Sequence, residues 1–181
     1  MARLPTISDD AAPAEVAKLF DSVRARGVAV PNLYRVLANS PAMLRTWLDF
    51  AWSLRLDAKT PRPLRELMIM RGAQLAEAEY EWAHHWSMAS EAGVPEVKLR
   101  ALAAWRDSDL FDVDERAVLR LADEVATHAA ASEECLAGLK SRFAADAVIE
   151  LVLTASFYVC VGRFLKSLAI DVEPDYQAYR P

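Results

Sequence analysis

The sequence predicts an all-α protein, and three features of its 181 residues support that prediction. Alanine and leucine dominate the composition while runs of β-branched residues are few, which favours helices over strands. Only five glycines are present, and the nine prolines are concentrated near the N-terminus and in the expected loops. Apolar residues recur at three- and four-residue spacing, as on one face of a helix. The length fits a single domain covering residues 1–181, and 54% hydrophobic residues allow a sizeable core.

The order of the helices follows from residues that start and stop them. Pro13 is suited to a first helical turn, and Gly27 is suited to a helix end. Asp112 or Asp114 can cap the helix that follows it. Residues 1–12 are expected to form an extended N-terminal arm that packs on a neighbour. The predicted helices cover residues 13–26, 32–38, 41–56, a pair within 64–93, a short helix ending near 104, then 113–130, 132–143 and 145–170.

The composition also limits the partners and the location of the chain. The net charge of −5 and the pI near 5.3 leave no basic stripe to neutralise the phosphates of a nucleic acid. The start of the chain, MARLPTISDD, has no apolar core of signal-peptide length. The longest apolar run, from Leu151 to Val161, is too short to span a bilayer and is flanked by Glu150 and Arg163. We therefore expect a cytoplasmic protein without nucleic-acid or membrane partners.

Neither cysteine is expected to react. Cys135 and Cys160 are separated by 25 positions, and neither belongs to a Cys-x-x-Cys or a zinc-type motif. Cys160 lies in the apolar helix and is expected to be a small core residue. Cys135 follows Glu133 and Glu134, whose charges would raise the pKa of its thiol.

The residues that could take part in a reaction are concentrated between Leu64 and Gly93, in LRELMIMRGAQLAEAEYEWAHHWSMASEAG. On the first helix of this pair, Arg71 falls on the apolar stripe and Glu66 is surrounded by apolar residues. A charge in such a place is costly unless it is paired, hydrogen-bonded or neutralised. The first helix therefore carries charges that an ordinary core would not contain.

The second helix of the pair carries a carboxylate and an imidazole on one face. Glu81 and His85 are four residues apart, and a neighbouring carboxylate favours the charged form of a histidine and selects its tautomer. His84 falls instead with Tyr80 and Ser87 on the wetter side. His85, not His84, is therefore the predicted proton-handling residue. The alternative is that the Glu–His pair only steadies the helix or satisfies a core histidine, although perturbed charges cluster at functional sites.

The spacing from Glu66 to Glu81 to His85, with YEW around Glu81 and the closing ASEAG, resembles the carboxymuconolactone decarboxylase and alkylhydroperoxidase-D (AhpD-like) superfamily. The segments PNLYRVLANSP and FYVCVGRFLKSLAI on either side are also similar to it. In its peroxidase members, a glutamate is followed after twelve residues by Cys-x-x-Cys, and a histidine comes four residues later. Those positions are Glu66, Ala78, Glu81 and His85 here, so both cysteines are lost, as in a subgroup with a Glu-Tyr-Glu-Trp signature.

The resemblance implies an AhpD-like helical bundle assembled as a homo-oligomer, as a dimer, trimer or hexamer, with sites near subunit contacts. It also implies cofactor-independent acid–base chemistry on a small organic acid or lactone, with decarboxylation as the prototype. In that reaction His85 delivers a proton to an enolate-like carbanion, Glu81 orients and charges His85, and Glu66 is a second proton-handling group. Arg71 and Tyr80 are the expected substrate-binding residues, unless Arg71 pairs with Glu66. No metal or other cofactor is expected.

Two other functions stay open at this point. The first is a non-catalytic, oligomeric ligand-binding or scaffold protein that keeps the pocket without turnover. The second is a thiol peroxidase, which needs a thiolate that Ala78 and Glu81 cannot supply. That activity survives only if Cys135 or Cys160 enters the pocket.

A mononuclear metal site from Glu77, Glu81 and His85 is a further hypothesis, because these residues follow one helical face. Three ligands on consecutive turns of one helix would crowd one another, which disfavours it. The discriminating observation for all of these hypotheses is whether Glu66, Glu81 and His85 converge on a cavity open to solvent.

Overall fold

The computed structural model describes residues 2–181. It is 70% helical, and it shows no strand in that range. The predicted all-α fold is confirmed. Across these residues there are nine α-helices and two 3₁₀ helices: α1 Ala14–Arg24, α2 Asn32–Leu37, α3 Pro41–Leu56, α4 Arg62–Leu75, α5 Glu79–Glu91, α6 Glu96–Ala101, a 3₁₀ helix Leu102–Asp107, α7 Val113–His128, α8 Glu133–Lys140, α9 Ala145–Leu168 and a second 3₁₀ helix Pro174–Tyr179.

Helix ends follow the signals in the sequence. Asp112 caps α7, since its carboxylate accepts hydrogen bonds from the backbone N–H groups of Asp114 and Glu115. The Glu115 side chain in turn accepts from the backbone N–H of Asp112, which completes a capping box. Gly27 follows α1 with φ +76°, a backbone conformation that glycine adopts without steric cost.

Helix α4 is the centre of the bundle. Residues 64–70 are all buried, and α4 packs against α5, α7 and α9. Ile69 belongs to the apolar cluster around α1–α3, Met68 to the cluster of α7–α9, and Leu67 to the cluster of α5, α6 and the first 3₁₀ helix. Burying each such side chain contributes about 1.5–3 kcal/mol. A helix that is buried on every side holds its polar residues rigidly, and Glu66 is one of them.

Helix α9 buries one face and leaves another exposed. Leu151, Tyr158 and Leu165 face the core at seven-residue spacing, whereas Leu153 and Cys160 are exposed. The expectation that Cys160 is a core residue is therefore wrong, because it lies on the outer face. With 24 residues, α9 is long and apolar enough to cross a membrane by length and composition alone. Its contacts with α4, α5, α7 and α8 make it a core helix of the bundle.

The N-terminal arm lies against its own chain. The backbone N–H of Arg3 donates to the carbonyl of Leu168 at the end of α9, over 2.8 Å. The backbone N–H of Ile7 donates to the carbonyl of Arg35 in α2, over 3.1 Å. Residues 2–12 therefore pack on α2 and α9 of the same chain, where packing on a neighbour was expected.

Candidate active site

A hydrogen bond between α4 and α5 forms the base of the site. His85 Nδ1 lies 2.8 Å from Glu66 Oε2, and the Glu66 carboxylate is 1% exposed. Burial raises the pKa of Glu66, but His85 and Arg62 outweigh burial and hold that pKa below its usual value. An ionised carboxylate can only accept hydrogen bonds, so His85 carries its hydrogen on Nδ1. Its other nitrogen, Nε2, keeps its lone pair and has no hydrogen-bond partner among residues 2–181.

Burial makes His85 a neutral imidazole. It lowers the pKa of His85, and the opposing effect of the Glu66 carboxylate is smaller. The Tyr158 ring meets the imidazole edge-on, with centroids 4.8 Å apart and the planes at 89°, which fixes the ring orientation. At neutral pH, His85 therefore presents an unprotonated Nε2, which is suited to accept a proton.

Glu81 is the opposite kind of group, a carboxyl that is kept neutral. It is 2% exposed, and within the described part of the chain neither carboxyl oxygen has a hydrogen-bond partner. Burial raises the pKa of Glu81 well above its usual value, because nothing near it compensates an ionised form. A Cβ atom at Gly162 would come within 3.0 Å of Glu81 Oε2, so the glycine in α9 provides the space for this carboxyl.

The prediction that Glu81 orients His85 is wrong. The residue bonded to Nδ1 is Glu66 on the neighbouring helix, although Glu81 is four positions from His85 on α5. The two predicted roles are thus exchanged: Glu66 positions the imidazole, and Glu81 is the residue with an available proton.

His85 and Glu81 line one half-enclosed cavity between α3, α5 and α9. Its volume is about 60 Å³, and its wall is mostly aromatic and apolar. Glu66 lies behind His85 and does not line the cavity. The lining residues are Pro31, Leu33, Tyr34, Trp47, Ala51, Arg55, Tyr80, Glu81, His84, His85, Met88, Phe157, Tyr158, Val161 and Leu165.

His84 is buried too, so its predicted position on a wet face is wrong. Its ring stacks between Tyr80, at 4.4 Å, and Tyr176, at 3.9 Å. Its Nε2 lies 2.6 Å from Glu173 Oε2, in the segment that leads into the second 3₁₀ helix. The C-terminal segment therefore covers α5, and it supplies a second carboxylate–imidazole pair beside the first. Sequence reasoning missed Glu173, since a polar tail 89 positions away carries no sign of this contact.

Tyr80 lines the cavity, but its hydroxyl already has partners. It donates to Glu173 Oε1 over 2.7 Å and accepts from the backbone N–H of Leu33 over 3.3 Å. Burial, and next the Glu173 charge, raise the pKa of Tyr80 well above its usual value. Tyr80 therefore contributes a neutral ring to the cavity wall.

Arg71 is not brought to the cavity. Its Nε donates to Asp123 Oδ1 over 2.6 Å, and its Nη1 donates to Gln74 Oε1 over 2.6 Å. The alternative pairing with Glu66 is also wrong. The two residues are five positions apart on α4, a rotation of about 140° around the helix axis, so they face different neighbours.

The remaining candidates lie outside the cavity as well. Glu77 is exposed and has φ 49° before α5 begins, so it does not share a helical face with Glu81 and His85. Cys135 is buried against α7 and α9, and burial raises the pKa of its thiol to about 11. Cys160 lies on the outer face of α9. The residues that the sequence singled out thus divide into a converged set of Glu66, Tyr80, Glu81 and the two histidines, and a dispersed set.

One family model matches the part of the chain that carries Glu66, Glu81 and His85. Residues 41–124 match the carboxymuconolactone decarboxylase family, a region that contains α3–α5 and most of α7. No curated protein sequence matches the chain.

Solved structures share the fold over almost the whole chain. An uncharacterised peroxidase-related protein from Silicibacter sp. TM1040 is 18% identical, with a TM-score of 0.82 and coverage of 97% of this chain and 93% of that chain. The alkylhydroperoxidase AhpD core protein, also peroxidase-related, from Ralstonia eutropha JMP134 is 17% identical, with a TM-score of 0.83 and coverage of 97% and 94%. The debrominase Bmp8 bound to 2,3,4-tribromopyrrole is 19% identical, with a TM-score of 0.82 and coverage of 99% and 95%. Residues 41–124 thus match the carboxymuconolactone decarboxylase family, and the whole chain shares its fold with AhpD-like structures.

Proposed function

We propose that this chain is a cofactor-independent acid–base enzyme that performs decarboxylation, or a related lyase or isomerase step, on a small organic acid or lactone. One observation carries the proposal: His85, whose Nδ1 is bonded to Glu66 and whose Nε2 is free, lines the same cavity as Glu81, whose buried carboxyl has no partner. Groups whose pKa values are displaced in this way are the usual acid and base of an active site.

The arrangement assigns opposite proton-transfer roles to the two groups. In an isomerisation, His85 Nε2 removes a proton from the carbon next to a carbonyl, and Glu81 protonates the resulting enolate at another atom. In a decarboxylation, the bond to the carboxyl carbon breaks and CO₂ leaves. The electron pair stays on the organic fragment as an enolate, and Glu81 supplies the proton for the new C–H bond. Glu81 is the proton donor in both reactions, whereas the sequence had suggested His85.

Glu66 acts through His85. Its carboxylate holds the Nδ1–H tautomer and stabilises the imidazolium that forms when Nε2 accepts a proton. Arg62 donates to the other oxygen of Glu66, which keeps this carboxylate ionised although it is buried. Glu66 is thus a positioning residue in our proposal.

A thiol peroxidase is disfavoured, even though two structural relatives are described as peroxidase-related. The first cysteine position of that motif is Ala78, which is buried at the start of α5. Within the described residues, neither thiol lines the cavity. A thiolate nucleophile is therefore missing where that reaction would need one.

A non-catalytic ligand-binding protein is the second candidate. The observation that favours it is the low exposure of the two reactive groups, 7% for His85 and 2% for Glu81. A protein of this kind would bind small molecules in the cavity and leave them unchanged.

Deuterium uptake and CO₂ release distinguish the two candidates. We would incubate the protein in D₂O with a panel of small keto acids and unsaturated lactones, and follow C–H exchange by proton NMR and CO₂ by a coupled assay. His85→Gln and Glu81→Gln are each expected to lower the rate by about 10²–10⁴-fold. Glu79→Gln, on the exposed side of α5, is the matched control and is expected to leave the rate unchanged. Binding without exchange or CO₂ release would favour the non-catalytic protein.

We also propose that the chain works as a cytoplasmic homo-oligomer. An exposed apolar surface between α3 and α9, which we term the outer groove, supports this assembly because large apolar patches mark interaction sites. Sedimentation velocity in the analytical ultracentrifuge would measure the size of the oligomer. The outer groove is lined by Leu37, Met43, Thr46, Trp47, Phe50, Leu153, Ser156, Phe157, Cys160 and Phe164.

A further inference from the structure

One side chain in the cavity wall carries a positive charge that no carboxylate neutralises. Arg55, in the last turn of α3, makes no ion pair with any carboxylate of residues 2–181, and its Nε is buried without a hydrogen-bond partner. Its Nη2 lies 3.5 Å from the sulfur of Met88, and its guanidinium also interacts with the Tyr34 hydroxyl and lies 4.7 Å from the centre of the Trp52 ring. A buried donor without an acceptor costs about 1–3 kcal/mol, and more when it is charged.

The arginines of the central helix α4 differ from Arg55. Arg65 also has a buried Nε without a partner, but its Nη1 donates to the carbonyl of Leu54 and it does not line the cavity. Arg62 donates to the Glu66 carboxylate, and Arg71 donates to Asp123. Both therefore have protein partners that would compete with a ligand. Arg55 differs because it lines the cavity. A ligand in the cavity can therefore supply the acceptor that the protein does not.

We propose that Arg55 binds a carboxylate of the ligand, so that the cavity selects small organic anions over neutral molecules of the same shape. A guanidinium offers a planar pair of donors that matches the two oxygens of a carboxylate. The apolar body of the ligand then packs on Trp47, Phe157 and Tyr158, which line the same cavity. This inference deepens the proposed function, because it places the anionic end of the substrate in the cavity that holds His85 and Glu81.

The test compares acids with amides of the same shape. Binding of benzoate and benzamide, and of the smaller pair crotonate and crotonamide, is measured by isothermal titration calorimetry on the intact chain at pH 7. Within at least one pair, the acid is expected to bind about tenfold or more tightly than its amide. Equal binding of acid and amide, or no binding of either pair, would overturn the assignment.

Three variants assign the discrimination to one side chain. Arg55→Gln is expected to remove the preference for the acid while leaving amide binding in place, and Arg55→Lys is expected to keep part of it. Arg26→Gln is the matched control, since the Arg26 guanidinium also lies 5.0 Å from the Trp52 ring but is outside the cavity. Arg26→Gln is expected to bind as the unmodified protein does. A preference for acids that survives in Arg55→Gln would contradict the proposal.

The test of Arg55 can fail or succeed independently of the proposed enzyme activity. Thermal unfolding establishes that each variant is folded, and if Arg55→Gln is not, the acid–amide comparison and Arg55→Lys still decide. His85→Gln is expected to keep the preference for acids, because His85 is not the anion-binding group. Anion selection without any turnover would support Arg55 as the carboxylate-binding residue and contradict the proposed enzyme activity. Turnover without anion selection would support the enzyme activity and contradict the role of Arg55.

Discussion

His85 Nδ1 and Glu66 Oε2 are 2.8 Å apart, although the two residues are 19 positions apart and lie on different helices. The nearer carboxylate along α5, Glu81, is left without a hydrogen bond in the described structure. Helix packing has therefore separated two glutamates into an ionised one that holds the imidazole and a neutral one that has a proton to give. When two carboxyl groups have pKa values shifted in opposite directions, the shifts are a recognised basis for assigning acid and base roles.

Replacing Glu66 should change the titration of His85. The Glu66 carboxylate raises the pKa of His85 against the lowering effect of burial, so Glu66→Gln is expected to lower that pKa further. The chain has three histidines, so their ring protons can be assigned and titrated by NMR. Glu79→Gln, which changes an exposed glutamate of α5, should leave the His85 titration in place. An unchanged or raised His85 pKa in Glu66→Gln would exclude the positioning role.

Glu81 should make the stability depend on pH in an unusual direction. Its pKa is raised above the usual 4.5, so the folded state holds a proton that the unfolded state releases. The stabilising effect is complete below pH 4.5 and is lost as the pH rises towards the folded pKa of Glu81. Unmodified protein should therefore lose stability relative to Glu81→Gln by about 1.4 kcal/mol per pH unit above 4.5.

Urea unfolding at pH 5, 6 and 7 measures this difference. Glu79→Gln is again the control, because an exposed carboxyl should give no such trend. A constant difference between Glu81→Gln and the unmodified protein across these pH values would show that Glu81 is ionised in the fold.

Gly162 should be coupled energetically to Glu81. Alanine in place of a helical glycine normally stabilises by about 0.5–1 kcal/mol, but a Cβ at this position would come within 3.0 Å of Glu81 Oε2. We expect Gly162→Ala to bring no gain in the unmodified protein and the usual gain in a Glu81→Ala background. Gly138→Ala in α8 is the matched control, since nothing lies within 4 Å of its Cβ position, and it should stabilise in both backgrounds. Additive effects of Gly162→Ala and Glu81→Ala would refute the contact.

Glu173 should stabilise the C-terminal segment at neutral pH and lose that effect in acid. Its carboxylate accepts hydrogen bonds from His84, Tyr80 and the backbone N–H of Asn32. Burial raises the pKa of Glu173, but these donors outweigh burial and lower it below 4.5. The stabilisation is thus complete above pH 4.5 and disappears as the pH falls through the folded pKa.

Glu173→Ala is expected to cost about 2–3 kcal/mol at pH 7 in a urea unfolding experiment. The difference from the unmodified protein should shrink at pH 4, where the unmodified carboxyl begins to take up its proton. Asp175→Asn, at an exposed position of the same segment, should have little effect. A cost that does not depend on pH would mean that the contribution of Glu173 is packing and not charge.

The two thiols should differ in reactivity. Cys160 is exposed, whereas Cys135 is buried and its thiol pKa is raised to about 11. At protein concentrations low enough to leave the outer groove uncovered, a thiol-specific disulfide reagent should label one cysteine in the folded protein and both in urea. Cys160→Ser should abolish labelling of the folded protein, and neither Cys135→Ser nor Cys160→Ser should change turnover. Turnover lost with either serine variant at unchanged stability would return the thiol mechanism to consideration.

Local signals in the sequence were sufficient for the helices. Periodic apolar residues, prolines and glycines locate all nine α-helices, and the capping residue of α7 was correctly limited to two aspartates. The burial of Glu66 was also visible, because apolar residues surround it on every side of α4. Such features depend on residues close together in the chain, where spacing alone decides which side chains meet.

Contacts between distant segments were not predictable in this way. Which carboxylate reaches His85 depends on how α4 crosses α5, and helix spacing by itself favoured the wrong one, Glu81. Arg55 is one of 21 lysines and arginines, and only the packing of α3 shows that it faces the cavity. Arg71 is different, because its rotation of about 140° from Glu66 on α4 was already computable from the helical repeat. The contacts of Glu173 could not be predicted without knowing where the C-terminal segment lies in the fold.

Trp47 and Phe157 each belong to two surfaces at once, the cavity and the outer groove. The wall between the ligand and the outside is thus one aromatic side chain thick, and the two rings touch, with centroids 5.2 Å apart. If a second copy occupies the outer groove, association and ligand binding share these rings and become thermodynamically linked. Linkage is reciprocal, so a ligand that displaces Trp47 would change the association constant by the same factor by which association changes ligand affinity. Dilution alone would then alter the apparent affinity for a carboxylate.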